Sequence, residues 1–105
     1  MNLFLYLSFM ANIITTTETF SIPENGYIFK HSTACPVSHT AYEEVKNAKT
    51  DLEIFLVKVI EQRPLSNKIA EELQIKHQSP QLIKIKNGIV DSVWNHSAIR
   101  TEVIK

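Results

Sequence analysis

Apolar positions along this chain change rhythm several times, and each rhythm predicts an element. Tyr27-Ile28-Phe29-Lys30 is aromatic and β-branched, bounded by Gly26 and a polar loop, and predicts a short buried strand. Val37, Ala41, Val45 and Ala48 recur at helical spacing, with Tyr42 at the flank and Glu43, Glu44, Lys46 and Lys49 facing away. That stripe predicts a helix from Pro36, where a missing N–H costs nothing, to about Thr50. Ile54 to Ile60 is almost continuously apolar, as in a strand covered on both faces. Pro64 opens a second helix, with Leu65, Ile69 and Leu73 on one side. Leu82 to Lys86, then Asn87-Gly88, then Ile89 to Trp94 reads as an antiparallel hairpin. Ser97 caps a predicted terminal helix through Lys105, with Ile99, Val103 and Ile104 inward. Before all of these, Thr15 to Ser21 reads as a short helical stretch capped by Thr16 or Thr17, ahead of a turn cluster from Ser21 to Gly26.

The order is β-α-β-α-β-β-α. It predicts an α/β domain: a mixed central sheet of about four strands, helices on both faces, and a right-handed crossover. A chain of 105 residues holds one small domain, here assigned to residues 15–105. Residues 1–14 form an apolar N-terminal segment of open status. Residues 1–17 carry no charged side chain, and Leu3 to Met10 is strongly apolar. That run falls short of the roughly 20 residues a membrane span needs. It lacks the leading basic cluster and the small-residue cleavage site of a signal peptide. A packed segment and an upstream extension with the working start at Met10 both stay open.

Eleven basic residues balance eleven acidic ones, so there is no excess to neutralise phosphates, and nucleic-acid binding is not expected. A single cysteine excludes an internal disulfide and fits a reducing cytosol. That cysteine, Cys35, stands where the first long helix begins, in Cys35-Pro36-Val37-Ser38. A helix start presents unpaired N–H groups and a positive dipole end, which favour thiolate over thiol. Ser38, three residues on, is expected to point its hydroxyl back at the sulfur. Such a thiolate attacks a mixed disulfide and keeps the small-thiol half, and a second thiol must then release it.

Other chemistries find less support. A cysteine phosphatase needs arginine six residues after the thiol, where Ala41 stands. A papain-like protease does not fit so short a chain. Ser38 has no Gly-x-Ser-x-Gly turn around it. His31, His39, His77 and His96 show no metal spacing, although His31 or His39 could approach the sulfur. Lys58 is read as reaching out from a strand end or facing a cleft, and Trp94 as a core or sheet-face aromatic.

The element order, with a cysteine between the first strand and its helix, resembles the thioredoxin fold. Ser79-Pro80, just before the third predicted strand, matches the place where thioredoxin-like proteins carry a cis-proline beside the catalytic sulfur. A closer resemblance is to the bacilliredoxin C (YtxJ) family of bacillithiol-system redox proteins. It is carried by Phe29 to Ser38, Val59 to Ser66, His77 to Gln81 and Ile85 to Gly88. Ala34 and Val37 depart mildly from the usual residues, and the first ten residues lie outside the resemblance.

The resemblance implies a bacterial, cytoplasmic monothiol oxidoreductase that removes bacillithiol from proteins. Cys35 would be the nucleophile, with Pro36 and Ser38 shaping its loop. Ser79, Pro80 and Thr33 would contact the adduct. Arg63 or Lys30 is a cation for a malate carboxylate on charge alone; surface or stem packing is the favoured role for each. Bacillithiol is then the co-substrate, and no metal is expected. The partners are bacillithiolated proteins and a small thiol, with no membrane, and the chain is a monomer. Two other classes stay open: an iron–sulfur carrier with Cys35 and a small thiol holding a cluster across a dimer, and a non-catalytic module using the groove beside Pro80.

Overall fold

Strand β2 (Gly26–His31) is buried at every position, because both faces of the sheet are covered there. Tyr27 and Phe29 point to one face and Ile28 to the other, as strand alternation requires. The computed structural model describes residues 11–105. Around β2 lie β1 (Asn12–Thr15), β3 (Glu53–Lys58), β4 (Gln81–Lys86) and β5 (Ile89–Asn95). The five strands run in the order β1-β3-β2-β4-β5, with β1, β3 and β2 parallel and β4 and β5 antiparallel to their neighbours.

Helix α1 (Pro36–Lys46) lies on the first face, where Ala41, Val45 and Ala48 meet Tyr27, Phe29, Leu56 and Leu82. Helix α2 (Arg63–Leu73) covers the second, where Leu65 and Ile69 meet Ile28, Val57, Ile83 and Ile85. Each fully buried aliphatic or phenyl side chain contributes roughly 1.5–3 kcal/mol of apolar transfer to this two-sided core. The expected α/β fold with helices on both faces is therefore present. Of the predicted stripe, Ala41 and Val45 are buried on α1 and Ala48 is buried just past its end, but Val37 is exposed, and the helix stops at Lys46, short of Thr50.

Three expectations change. The sheet has five strands, not four, because Asn12–Thr15 pairs with Glu53–Leu56 at one edge. The expected helix over Thr15 to Ser21 is absent, and a turn at Glu18-Thr19 stands there instead. Thr16 explains why: its N–H and hydroxyl both donate to Leu56 carbonyl, at 3.0 and 2.8 Å, and its carbonyl accepts from Gln62 Nε2 at 2.9 Å. Those bonds hold the backbone extended against β3. The expected terminal helix is two short 3-10 turns, His96–Ala98 and Thr101–Val103. Ile99 and Ile104 are buried as expected, but Thr101 gives its N–H to Glu44 Oε1 and its hydroxyl to the Glu44 carbonyl, both at 2.8 Å. Tyr27 Oη closes the end by accepting Lys105 N–H and donating to its carbonyl, both at 2.9 Å.

The hairpin at Asn87-Gly88 is as expected, with both residues at positive φ, 55° and 78°. No helix among the described residues is long and apolar enough to cross a membrane. The apolar run from Leu3 to Met10 lies outside the described residues.

Candidate functional site

Cys35 is the N-cap of α1, in extended conformation (φ −113°, ψ 119°), with Pro36 as the first helical residue. Its thiol is half-buried. Among the described residues no side chain caps this helix, and Cys35 occupies the position from which a cap would accept the N–H groups of the first turn. Pro36 removes one of those donors and leaves those of Val37 and Ser38. A sulfur anion there meets the positive end of the helix.

The loop before the helix is short and tied. Cys35 N–H reaches the Ser32 carbonyl at 3.3 Å, and His39 N–H reaches the Cys35 carbonyl at 3.1 Å. Thr33 is exposed, and its carbonyl lies 3.0 Å from His39 Nε2. Ser38 does not behave as the spacing suggested. Its side chain is wholly buried, with Oγ accepting Ser32 N–H at 2.9 Å and lying 2.7 Å from His31 Nδ1. Among the described residues, no hydrogen bond joins it to Cys35. The hydroxyl is engaged by the strand end beneath the loop rather than by the sulfur.

His31 is the residue that spacing alone undervalued. It is buried at the end of β2, stacked on Phe29 at 5.7 Å, with the Tyr42 ring at 4.8 Å and the His39 ring edge-on at 5.6 Å. Burial, then the His39 charge, push its titration below the ordinary histidine value.

The Ser79–Pro80 peptide is cis. Lys30 pairs with Gln81 across β2 and β4, so Pro80 stands opposite the end of β2 from which the Cys35 loop departs. The Pro80 carbonyl accepts His96 N–H at 3.0 Å, which draws the first C-terminal turn to the same edge. Ser79 Oγ is buried and has no hydrogen-bond partner among the described residues. A groove of about 460 Å³ runs between α1 and that turn, from Val37 through Thr40 and Ala41 to Ile99 and Arg100.

Lys30, expected at the surface or packed by its stem, is not at the surface. It is fully buried on the α2 side, donating to the Ser66 carbonyl at 2.9 Å and lying 3.2 Å from His77 Nδ1. Burial lowers its titration to about 8. Arg63 is exposed at the start of α2, and its charge acts on His77, two residues before Ser79. Lys58 is half-buried at the end of β3, and Trp94 packs beside Tyr27 at 6.4 Å. The signal that could have found Lys30 was its place between Phe29 and His31 in a strand buried on both faces. His77 and Ser66 carried no signal until the fold brought them to it.

A thiol at the N-cap position of a helix, with a cis-proline at the same end of a mixed sheet that has helices on both faces, defines a thioredoxin-fold protein of the thiol-redox class. Solved structures agree on the fold. A candidate oxidoreductase described as having a thioredoxin fold is 26% identical, aligned over 92% of each chain, with a TM-score of 0.76. Oxidised thioredoxin from Plasmodium falciparum is 21% identical, covering 90% of this chain and 94% of its own, with a TM-score of 0.60. Thioredoxin from Aeropyrum pernix is 12% identical, over 78% and 70%, with a TM-score of 0.58. The chain belongs to the monothiol bacilliredoxin BrxC family, whose sequence model matches residues 12–104.

Proposed function

We propose that this chain removes bacillithiol from protein mixed disulfides through Cys35. The observation that carries the reading is a lone thiol at the cap of α1, with Ser38 in place of a second sulfur. The Cys35 thiolate attacks the bacillithiol sulfur of the mixed disulfide. The protein–bacillithiol S–S bond breaks, the substrate protein leaves as a thiolate and takes up a proton, and a Cys35–bacillithiol disulfide forms. A second thiolate then attacks the bacillithiol sulfur, carries it away as a new disulfide, and returns Cys35 as thiolate. Electrons move from the second thiol to the substrate protein, and Cys35 ends unchanged. Dependence on that second thiol follows from the chain having one cysteine.

Cis-Pro80, Ser79 and Thr33 border the loop and supply the polar and backbone surface against which the adduct would lie. Arg63 is the cation for a malate carboxylate in this reading; Lys30 is withdrawn, since its ammonium is turned into the protein. The test is turnover of a bacillithiolated protein with bacillithiol as reductant. Cys35→Ser should abolish release, and a glutathionylated substrate should be turned over at least about tenfold more slowly, a difference of roughly 1.4 kcal/mol in transition-state binding. Equal rates for the two adducts would leave the thiol-exchange chemistry standing and overturn the bacillithiol assignment.

A further inference from the structure

Lys30 is a buried cation whose partners are a carbonyl and an imidazole. Its Nζ donates to the Ser66 carbonyl at 2.9 Å and lies 3.2 Å from His77 Nδ1. Among the described residues no carboxylate pairs with it. An ammonium, the form Lys30 holds below about pH 8, has three protons and no lone pair. Nδ1 must therefore accept, and the ring proton of His77 sits on Nε2. Ser66 Oγ stands 3.4 Å from the same Nδ1, so the inner edge of the ring is held from both β2 and α2. The outer edge is free for other work. His77 is half-buried, and among the described residues its Nε2 has no hydrogen-bond partner.

A second cation stands near that outer edge. Arg63 is exposed at the start of α2, its charge reaches the His77 ring, and among the described residues it makes no ion pair. The charged groups that act on His77 are thus Lys30 from β2 and Arg63 from α2, both positive, with no carboxylate to balance them. Two cations and an N–H donor of fixed direction suit an anion. The place suits one ligand. His77 precedes cis-Pro80 by three residues, and Lys30 precedes His31, where β2 ends and the Cys35 loop begins. The cluster therefore shares the reacting end of the sheet but lies on its α2 side, away from the helix that Cys35 caps. A small thiol with its acid groups remote from its sulfur has need of such an offset site.

We propose that His77 and Arg63 together bind a carboxylate of the small thiol carried by Cys35, and that Lys30 is the positioning residue that keeps the His77 proton on Nε2, turned toward it. Arg63 supplies charge and a planar fork of donors, and His77 supplies one donor in a set direction. Lys30 does not touch the ligand, because its ammonium is withdrawn into the protein and acts through Nδ1. The inference rests on the bacillithiol reading, whose malate end carries the carboxylates, and adds to Arg63 a second contact and the residue that orients it.

The test has two arms, both on the full chain. Nitrogen-resolved NMR of the His77 ring at about pH 7 reads the tautomer. The proton should sit on Nε2 with Nδ1 bare, and Lys30→Met should populate both tautomers. A proton on Nδ1 in the wild type, or a tautomer unmoved in Lys30→Met, would overturn the positioning role. The second arm compares turnover of one protein carrying either bacillithiol or cysteinyl-glucosamine, which lacks the malate carboxylates. The wild type should favour the bacillithiol adduct in kcat/KM by at least about fivefold, and His77→Phe and Arg63→Gln should each erase most of that preference through KM. A preference that survives His77→Phe, or one lost through kcat alone, would overturn the proposal. Should Lys30→Met fail to fold, the wild-type tautomer and the His77→Phe preference decide. A wild type that turns over both adducts equally would fail the bacillithiol reading beneath, whereas a preference untouched by His77→Phe fails only the present inference.

Discussion

Lys30 is a cation placed where stability alone would not place one. Its side chain is fully buried, and its partners are a backbone carbonyl and a histidine rather than a carboxylate. Burial moves its titration from 10.5 to about 8. Below pH 8 both the folded and the unfolded chain carry the proton, and the folded state bears the full desolvation cost. Between about pH 8 and pH 10.5 the folded chain gives up its proton first, so this cost is relieved and stability rises. Lys30→Met should therefore stabilise the protein by about 1–2 kcal/mol at neutral pH, read from urea unfolding, with the gain shrinking as pH rises through that window. A loss of stability at neutral pH would show that the ammonium is held by something other than its two visible partners. The residue scale is also where the sequence was least legible. Cys35 announces itself as the candidate nucleophile by position at a helix start. Ser38 could not, because the pull of Ser32 and His31 on its hydroxyl depends on how the loop folds back over the end of β2.

At the scale of elements, the readable parts were those with strong periodicity or strong turn chemistry. Ala41 and Val45 survive as the buried side of α1 and Ala48 is buried just past its end, whereas Val37 at the first turn is exposed. Asn87-Gly88 survives because both residues take up the left-handed backbone that the turn requires. Gly88→Ala should cost about 1 kcal/mol, checked by thermal or urea unfolding, since a Cβ is strained at φ 78°. An unchanged midpoint would show that the turn does not fix the β4–β5 register. The misread elements share one cause: long-range bonds outweighed local preference. Thr16 is held extended by Leu56 and Gln62, forty and forty-six residues away. Thr101 is held by Glu44, fifty-seven residues away, and its N–H is thereby diverted from a helix that Ile99, Val103 and Ile104 seemed to promise. β-Branched residues make that diversion easy, because they gain little from helix formation.

At the scale of the whole molecule, α1 and α2 cover opposite faces of the sheet and leave its carboxyl edge open. The Cys35 loop, the start of α2 and the cis-Pro80 turn meet along that edge, where open α/β sheets place their ligands. The order of elements and the cysteine at the first strand–helix junction were enough to read this layout from the chain. The fifth strand was not, because β1 is short, lies at an edge, and follows an apolar run with no turn signal before it. The molecule brings one sulfur to an open edge with no second sulfur to relieve it. The proposed function thus requires a covalent state with a defined lifetime: one adduct, formed at Cys35 and removed from outside. Intact mass spectrometry after incubation with bacillithiol disulfide tests this most directly. The expected result is a gain of one bacillithiol on Cys35 that disappears on adding excess free thiol; an unchanged mass, with Cys35 still open to alkylation, would contradict the proposed function.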